Sequence, residues 1–284
     1  MQHMAILSQL ILYPIKSCAG MAVKEAAAGV SGLSAQGVHD REWMLVTPDG
    51  QFLTQREYPR MATVVPRVEG ATLVVTAPGM PPLQLPLARQ AAALTLRVQI
   101  WDDVVDAADC GDAAASWFQQ TLGGACRLVR FLPGLDRPTS TTWTGGAASS
   151  ARFADAYPLL LIGSSALEEI NARMLAAGRA ALPMDRFRPN LVVDGTDPFE
   201  EDYTESLRAG DVLVKPVKPC ARCPIPAVDQ ATGIPGPDPL DILQSWRSKA
   251  ILDGAVCVGM NCIVADGEGG LLRVGQELDI ALSF

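Results

Sequence analysis

Short apolar runs separated by turn residues recur along nearly the whole chain. Each run is rich in apolar or β-branched residues and is closed by Gly, Pro or Asp, which is typical of β-strands. The predicted strands cover residues 5–12, 43–47, 71–76, 94–98, 127–131, 191–193, 212–217 and 262–265. Many short strands punctuated by turns predict a mainly β fold of the α+β class, with two barrel-like β domains and a few peripheral helices.

Helical spacing is confined to a few segments. The first covers residues 111–122 and is followed by a Gly-Gly pair, which commonly stops a helix. In the second, Ser165 and Glu168 form a capping box, and helical periodicity continues until Gly178. Pro239 opens the third, whose apolar residues lie on one face. These segments predict helices at the periphery of the β domains.

A segment rich in Gly, Ser, Thr and Pro, residues 133–150, separates the first predicted helix from the second. Such a composition is typical of a connection between domains. A chain of 284 residues, of which 49% are hydrophobic, is long and apolar enough to form two cores. The sequence therefore predicts one domain over residues 1–130 and a second over residues 131–284.

Composition and charge argue against several classes of protein. The longest apolar runs, such as residues 158–163, fall far short of the roughly 20 residues of a membrane-spanning helix. The N-terminal stretch lacks the basic start and the cleavage site of a signal peptide. Seven cysteines at uneven spacing favour a reducing compartment over a disulfide framework, so we expect a cytoplasmic protein. A net charge of −8 argues against nucleic-acid binding.

The chain also lacks the motifs of several enzyme classes. Neither G-x-x-x-x-G-K-[ST] nor G-x-G-x-x-G occurs, so neither an NTPase phosphate loop nor a dinucleotide fingerprint is available. The histidines are His3 and His39, and a Ser-His-Asp or Cys-His hydrolase would have to recruit one of them. The carboxylates are plentiful, but no spacing singles out a pair for acid–base catalysis.

The segment from residue 218 to 233 contains residues suited to metal binding or to nucleophilic attack. It places Cys220 and Cys223 on either side of Arg222, and a guanidinium favours the thiolate form in which cysteine binds metals or attacks. Prolines before and after the cysteines fix φ and remove backbone donors. The two sulfur atoms are therefore expected on a stiff turn, and neither in a helix nor in a central strand.

Taken by themselves, these cysteines allow other interpretations. Cys220 and Cys223 together with Cys257 and Cys262 would suffice for a structural zinc site, although the spacing of the second pair is unusual for one. A thioredoxin-like dithiol fits less well, because the first pair does not open a helix at the end of a strand. The cysteines outside the first pair are otherwise expected to be small buried hydrophobic residues.

The same segment resembles the signature of a protein family. Cys220-x-x-Cys223, followed by Val-Asp-x-x-Thr-Gly at residues 228–233, is similar to the signature of MOSC domains. This group includes the mitochondrial amidoxime-reducing component and its bacterial hydroxylaminopurine-reducing relatives. Further pieces agree in the same order along the chain: residues 13–20, 40–46, 186–193, 259–261 and 272–275. The resemblance covers nearly the whole chain and implies an N-terminal β-barrel domain followed by a MOSC domain.

The resemblance implies a site for a molybdenum cofactor, in which a pyranopterin carries the metal. The second cysteine of the pair is the metal ligand in this family, so the implied ligand is Cys223, with Cys220 beside it. Thiolate is a soft donor and suits a metal that cycles between oxidation states. Asp229 would orient the ligand loop or lie near the open face of the metal, which makes it and Cys223 the candidate catalytic residues.

The cofactor would also need contacts to its pterin and phosphate. Guanidinium forks suit phosphate oxygens, and the family pattern carries its cofactor contacts onto basic and polar positions of this chain. Without the resemblance, the basic ones would be taken for strand ends and surface salt-bridge partners. The implied contacts are Lys16, Ser17, Arg41, Arg188, Asn190, Ala221 and Arg222.

The resemblance finally implies a function. Relatives of the amidoxime-reducing type remove oxygen from N-hydroxylated compounds such as hydroxylamines, amidoximes and N-hydroxylated bases. The chain lacks the C-x₄-C-x₂-C spacing of an iron–sulfur domain, so we expect electrons from a separate flavin or iron–sulfur protein. Two alternatives stay open. One is a molybdenum-cofactor carrier or sulfur-transfer module that works with a pyridoxal-phosphate desulfurase and binds no pyridoxal phosphate itself; the other is a zinc-stabilised binding module without turnover.

Overall fold

The computed structural model describes residues 5–89 and 93–283. Within these ranges the chain forms twenty strands and four α-helices, joined by turns and short 3-10 helices. The prediction of a mainly β fold with a few helices is therefore confirmed. None of the helices in these ranges combines the length and the hydropathy needed to cross a membrane.

The elements follow one another in two series. The first contains β1 (Ala5–Leu12), β2 (Met21–Val23), β3 (Glu25–Gly29), β4 (Gly32–Ala35), β5 (Val38–His39), β6 (Trp43–Val46), β7 (Val65–Glu69), β8 (Thr72–Thr76), β9 (Leu83–Pro86), β10 (Thr95–Ile100), β11 (Asp103–Asp109), α1 (Asp112–Leu122) and β12 (Arg127–Phe131). The second contains α2 (Thr141–Thr144), β13 (Leu159–Gly163), α3 (Ser164–Ala176), β14 (Leu191–Asp194), β15 (Thr204–Ala209), β16 (Val212–Ala221), α4 (Leu240–Arg247), β17 (Ser248–Lys249), β18 (Ala255–Asp266), β19 (Leu271–Arg273) and β20 (Glu277–Leu282).

A closed barrel forms the centre of the fold. Its strands follow the order β13-β14-β1-β20-β15-β16-β18, and β18 pairs again with β13. Leu161 shows the closure, because it pairs with Leu191 of β14 on one side and with Met260 of β18 on the other. The β13–β14 pair is parallel and α3 supplies the crossover that such a pair requires. Closure leaves no free edge among these strands.

Strands cross the predicted domain boundary in both directions. β1 comes from the start of the chain but pairs with β14 and β20 inside the closed barrel. β19 comes from the end of the chain but pairs with β3. The two halves of the chain therefore share strands in space. The predicted domain boundary at residue 130 stays a prediction.

The remaining strands build the first half of the molecule. They form the sheets β10-β11-β12-β6, β19-β3-β4-β5 and β7-β8-β9. A large core joins these sheets to the barrel, with Leu33 and Leu45 from one side and Leu161 from the other. On β13, the neighbouring side chain Ile162 faces a second core under α3 and α4. Because both faces of β13 are buried, its sequence is a continuous apolar run.

The predicted strands are present, but the bounds of the last two are too short. The strand predicted at 212–217 continues to Ala221, and the one predicted at 262–265 is the end of the longer β18. Cys220 therefore lies within a strand, and the prediction that both cysteines occupy a turn is wrong for Cys220. The register of β16 with β18 shifts beside Pro216 and Pro219, so the ladder does not need their missing N–H groups.

The helices are confirmed in position, but the predicted capping box is wrong. Gly163 occupies the cap position of α3, which begins at Ser164, and no side chain caps the helix. β13 runs directly into α3, so Ser165 lies inside the first turn, where its hydroxyl is buried without a partner among the described residues. The short helix α2 falls in the segment interpreted as a connection between domains.

A glycine in β18 lies where the barrel closes. Gly259 has φ 74°, and a Cβ placed on it would approach Leu161 O and Ile162 Cγ1 to 2.6 Å each. Gly254, just before β18, has a similar φ of 79°, but a Cβ there would meet no atom within 4 Å. The two positions share a left-handed backbone and differ in the space around them.

We expect Gly259→Ala to lower the free energy of unfolding by about 2–5 kcal/mol, because left-handed strain adds to overpacking at the closure. Gly254→Ala should cost only the backbone strain, about 1–2 kcal/mol. Denaturant titration of both variants measures the difference. Equal losses would show that the close approach of β13 does not require this glycine.

Candidate functional site

One pocket gathers most of the predicted site residues. It has a volume of about 220 Å³ and lies where the turns after β1, before β6 and before β14 meet the end of β16. The predicted residues that line it are Lys16, Ser17, Arg41, Arg188, Asn190, Ala221, Arg222 and Cys223. These residues come from distant parts of the chain, so only the folded molecule assembles them.

Three of the lining residues adopt a backbone conformation that favours glycine. The φ angles are 64° at Ser17, 47° at Arg41 and 56° at Arg188. Each such residue costs on the order of 1–3 kcal/mol, and the conformation persists where the surrounding structure enforces it. Strain of this kind concentrates at functional sites. Its occurrence at three positions of one pocket indicates that the fold is built to place these side chains.

Two guanidinium groups of the pocket stack on one buried tyrosine. The guanidinium carbons of Arg41 and Arg188 lie 4.5 and 4.2 Å from the centroid of the Tyr13 ring. Burial raises the pKa of Tyr13 to about 12, so the ring stays neutral and its face can attract both cations. Burial also lowers the pKa of Arg188 below its usual value. The tyrosine therefore supports two cations that would otherwise repel each other.

A buried carboxylate and an amide fix the first of these arginines. Asp40 pairs with Arg41 and accepts hydrogen bonds from Tyr13 N at 2.7 Å and from Asn190 Nδ2 at 3.0 Å. Asn190 Oδ1 in turn accepts from Arg41 Nη1 at 3.0 Å and from Leu160 N at 3.1 Å. Burial raises the pKa of Asp40, and the neighbouring Arg41 opposes that rise. The network holds Arg41 in one orientation at the pocket wall.

The ammonium of Lys16 binds to residues of the loop that precedes β13. Lys16 is 4% exposed, and its Nζ donates to Phe153 O at 3.0 Å and pairs with Asp155. Burial lowers the pKa of Lys16, and the ion pair with Asp155 counteracts the effect. Lys16 thus ties the turn after β1 to the loop that precedes β13.

That loop is held in place by a second buried cation. Arg137 donates to the carbonyls of residues 152, 154 and 155 at 2.9, 2.6 and 3.2 Å. Its Nε also donates to Asp103 Oδ2 at 2.7 Å. Because Lys16 depends on Phe153 O and Asp155, Arg137 supports the pocket through the backbone of this loop.

The two cysteines at the end of β16 have different surroundings. Arg222 Nη1 donates to Cys220 Sγ at 3.2 Å, and Nη2 donates to Phe187 O at 2.7 Å. The Nε of Arg222 is buried without a partner among the described residues. Cys223 lines the pocket half-buried, and within the described part of the chain its sulfur makes no hydrogen bond. Of the two sulfurs, that of Cys223 is the one left open to a ligand.

Positive charge dominates the pocket although the chain as a whole is acidic. Asp155 is the sole carboxylate among the described residues that line it, and Asp40 lies directly behind. A net charge of −8 for the chain makes this local reversal more pronounced. Clustered cations with few counterions suit an anionic ligand. The lining cations are Lys16, Arg41, Arg188, Lys218 and Arg222.

Asp229 is the predicted site residue that the structure does not bring to the pocket. Its carboxylate accepts from the backbone and the hydroxyl of Thr232 at 2.9 Å each and pairs with Arg186 at 2.7 Å. These hydrogen bonds lower the pKa of Asp229. Arg186 also donates to the carbonyls of residues 226 and 227. In this structure Asp229 organises the loop after Cys223 and does not line the pocket.

The alternative of a four-cysteine zinc site is not assembled. Cys257 and Cys262 are fully buried and lie five residues apart in β18, which separates them by roughly 16 Å, whereas zinc ligands must lie within about 2.3 Å of one ion. Residues 5–89 and 93–283 contain no group of three His, Cys, Asp or Glu side chains placed to hold a metal. Burial raises the pKa of Cys257 to about 11, as suits a small core residue.

Some lining residues escaped the sequence prediction. Lys218 lies in the cysteine segment 218–233, and Phe187 and Asn261 lie in the segments 186–193 and 259–261 that resemble the family. No sequence spacing distinguished these three residues from their neighbours. Asp155 and Tyr157 follow the Gly- and Ser-rich connection and carry no signal. Their position depends on contacts made only in the folded chain.

Of the two histidines, the structure describes His39. His39 lies in β5 and is absent from the residues that line the pocket. His3 lies outside the described residues.

Comparison with known proteins gives matches over both halves of the chain. Residues 4–125 match the MOSC N-terminal beta barrel domain, and residues 148–279 match the MOSC domain. The chain is 34% identical over 289 residues to mitochondrial amidoxime reducing component 2 of Rattus norvegicus, covering 98% of this chain and 84% of that protein. The human protein of the same name is 35% identical over 251 residues, covering 87% and 74%.

The chain also matches part of a longer protein, a molybdenum cofactor sulfurase. The chain is 30% identical over 294 residues to a molybdenum cofactor sulfurase of Oryza sativa subsp. japonica. The match covers 96% of this chain and 35% of that protein.

We expect Arg137→Ala to lower the free energy of unfolding by about 3 kcal/mol, since several charge-assisted hydrogen bonds to the loop before β13 are lost. Hydrogen exchange of the amides at 152–155 should accelerate more than elsewhere. Arg97→Ala, at an exposed position of β10, is the control and should change stability by less than about 0.5 kcal/mol. Unchanged exchange at 152–155 would mean that other contacts hold the loop.

Proposed function

The chain belongs to the family of MOSC-domain proteins, and from that premise we propose a molybdenum-cofactor-dependent oxidoreductase that reduces N-hydroxylated compounds with electrons from a separate redox protein. The family assignment makes the function molybdenum-cofactor-related, and the relatives named amidoxime reducing components support the finer proposal. The observation that carries it is the pocket in which a half-buried Cys223 faces a cluster of cations.

The donors of the pocket fit a pterin that ends in a phosphate. A phosphate monoester carries close to two negative charges near neutral pH. Lys16, Arg41 and Arg188 converge on the pocket, and two of them present guanidinium forks that suit phosphate oxygens. Ser17 adds a hydroxyl beside them. The buried and unpaired Nε of Arg222 offers a further donor to a bound group. We assign these residues to the pterin and its phosphate, with Asn190 and Ala221 lining it.

Cys223 is the proposed metal ligand. The sulfur of Cys220 already accepts a hydrogen bond from Arg222, whereas that of Cys223 faces the pocket without one from the described residues. A thiolate supplied from a loop braced by Arg186 and Asp229 would hold its position. When bound, the molybdenum centre supplies the two-electron chemistry needed to remove oxygen from an N–O bond. The net reduction of N–OH to N–H consumes two electrons and two protons and releases one water.

A sulfur-transfer role is the second candidate. It is supported by the identity of 30% to a molybdenum cofactor sulfurase over 96% of this chain. Such a role would use the same cofactor pocket but would leave N-hydroxylated compounds unchanged. An assay with benzamidoxime and a chemically reduced dye as electron source distinguishes the two, because only the reductase produces benzamidine.

We expect Cys223→Ala to abolish benzamidoxime reduction, because the proposed metal ligand is lost. Cys220→Ala should lower activity by about 10- to 100-fold and leave it measurable, as for a group beside a ligand. Circular dichroism and thermal unfolding of both variants check that each is folded. An inactive Cys220→Ala beside an active Cys223→Ala would reverse the assignment.

Cofactor retention should depend on the basic residues. Loss of one charge-assisted hydrogen bond weakens binding roughly ten- to a hundredfold, so Arg188→Ala and Lys16→Ala should purify with less pterin per chain. Arg208→Ala, an exposed position of β15 away from the pocket, is the matched control. Fluorescence of the released pterin against protein concentration gives the measurement. An equal pterin content per chain in the three variants would show that the phosphate does not bind in this pocket.

A further inference from the structure

Lys218 is a cation of the pocket that the cofactor assignment does not use. Its side chain is half-buried and lines the pocket together with Cys223 and Asn261. Its ammonium lies 5.3 Å from the ring centroid of Trp143 in α2. Within the described part of the chain, this ammonium has no hydrogen-bond acceptor and no carboxylate within ion-pair distance. Its donors are therefore available to an anionic group of a ligand that enters the pocket.

The other cations of the pocket have partners in the protein or in the proposed cofactor. Lys16 pairs with Asp155, and Arg41 pairs with Asp40. Arg222 donates to a carbonyl and to a cysteine sulfur. Arg188 stacks on a tyrosine ring and is assigned above to the phosphate. Lys218 therefore differs from the rest in having only an aromatic face beside it.

The fold places Lys218 in the same wall as the proposed metal ligand. Lys218 pairs with Asn261 of β18 near the end of β16, and Cys223 follows that strand by two residues. The face of Trp143 holds the ammonium near the pocket while leaving its donors open. A molecule that binds beside Cys223 in this pocket therefore also lies near the ammonium of Lys218.

We propose that Lys218, supported by Trp143, binds an anionic group of the substrate, so that the preferred N-hydroxylated substrates carry a carboxylate or a phosphate. The inference rests on the proposed function and adds the class of substrate to it. The anion would contribute to binding of the substrate and leave the N–O chemistry unchanged.

The test compares neutral and anionic members of two substrate pairs. Benzamidoxime is paired with 4-carboxybenzamidoxime, and N4-hydroxycytidine with its 5′-monophosphate. Cofactor-loaded wild type, Lys218→Gln and the control Lys215→Gln, at an exposed position of the same strand, are assayed with reduced dye. Lys218→Gln should raise KM about tenfold for an anionic member, as for the loss of one charge-assisted hydrogen bond, and leave the neutral members unchanged. Lys215→Gln should alter neither.

The remaining outcomes identify the anionic group that is recognised or overturn the proposal. An effect on one pair alone identifies carboxylate or phosphate as the recognised group. Equal changes for neutral and anionic members, or a lower pterin content in Lys218→Gln, would overturn the proposal, the latter by assigning Lys218 to the cofactor. Calorimetric binding of 4-carboxybenzamide against benzamide separates this inference from the proposed function. If wild type reduces none of the four compounds but binds the carboxylate through Lys218, the reductase proposal fails and the anion site stands.

Discussion

The cations of the pocket repel one another, and the surrounding structure is arranged so that they stay together. Tyr13 stacks with two guanidinium groups, Asp40 pairs with one of them, and Asp155 pairs with Lys16. These contacts offset the cost of concentrating buried charge. Interactions between exposed charges fall off over a Debye length of about 8–10 Å, so the acidic surface does not cancel the local positive field. An anionic ligand would relieve the repulsion that remains.

The same contacts join the site to the barrel. Asn190 donates to Ile11 O and to Asp40, while its carbonyl oxygen accepts from Leu160 N, so one side chain connects β1, the turn before β6 and the start of β13. The pocket therefore exists only when the first strand of the chain has entered the barrel of the second half. A ligand that binds the assembled pocket would stabilise the whole fold through mass action.

The end of β16 explains why two cysteines three residues apart differ. Bulges beside Pro216 and Pro219 let the strand continue to Ala221, which fixes Cys220 in the sheet beneath Arg222. Cys223 lies beyond the strand in a loop braced by an ion pair and a turn. The sulfur of Cys223 is thus held between two supported segments and accepts no hydrogen bond from the described residues.

The sequence alone predicted eight of the twenty strands that the structure describes, because alternating and continuous apolar runs closed by turn residues depend only on neighbouring positions. It also supplied the cysteine pair and, through family resemblance, the residues expected around a cofactor. Tertiary structure decided which strands pair, that β1 joins the barrel, and that Asp229 stays outside the pocket while Lys218 enters it. Periodicity shows which face of a strand is buried but not its partner, and Asp40 and Asn190 meet across 150 positions of the chain. Contacts of such separation exist only after folding, so no local pattern records them.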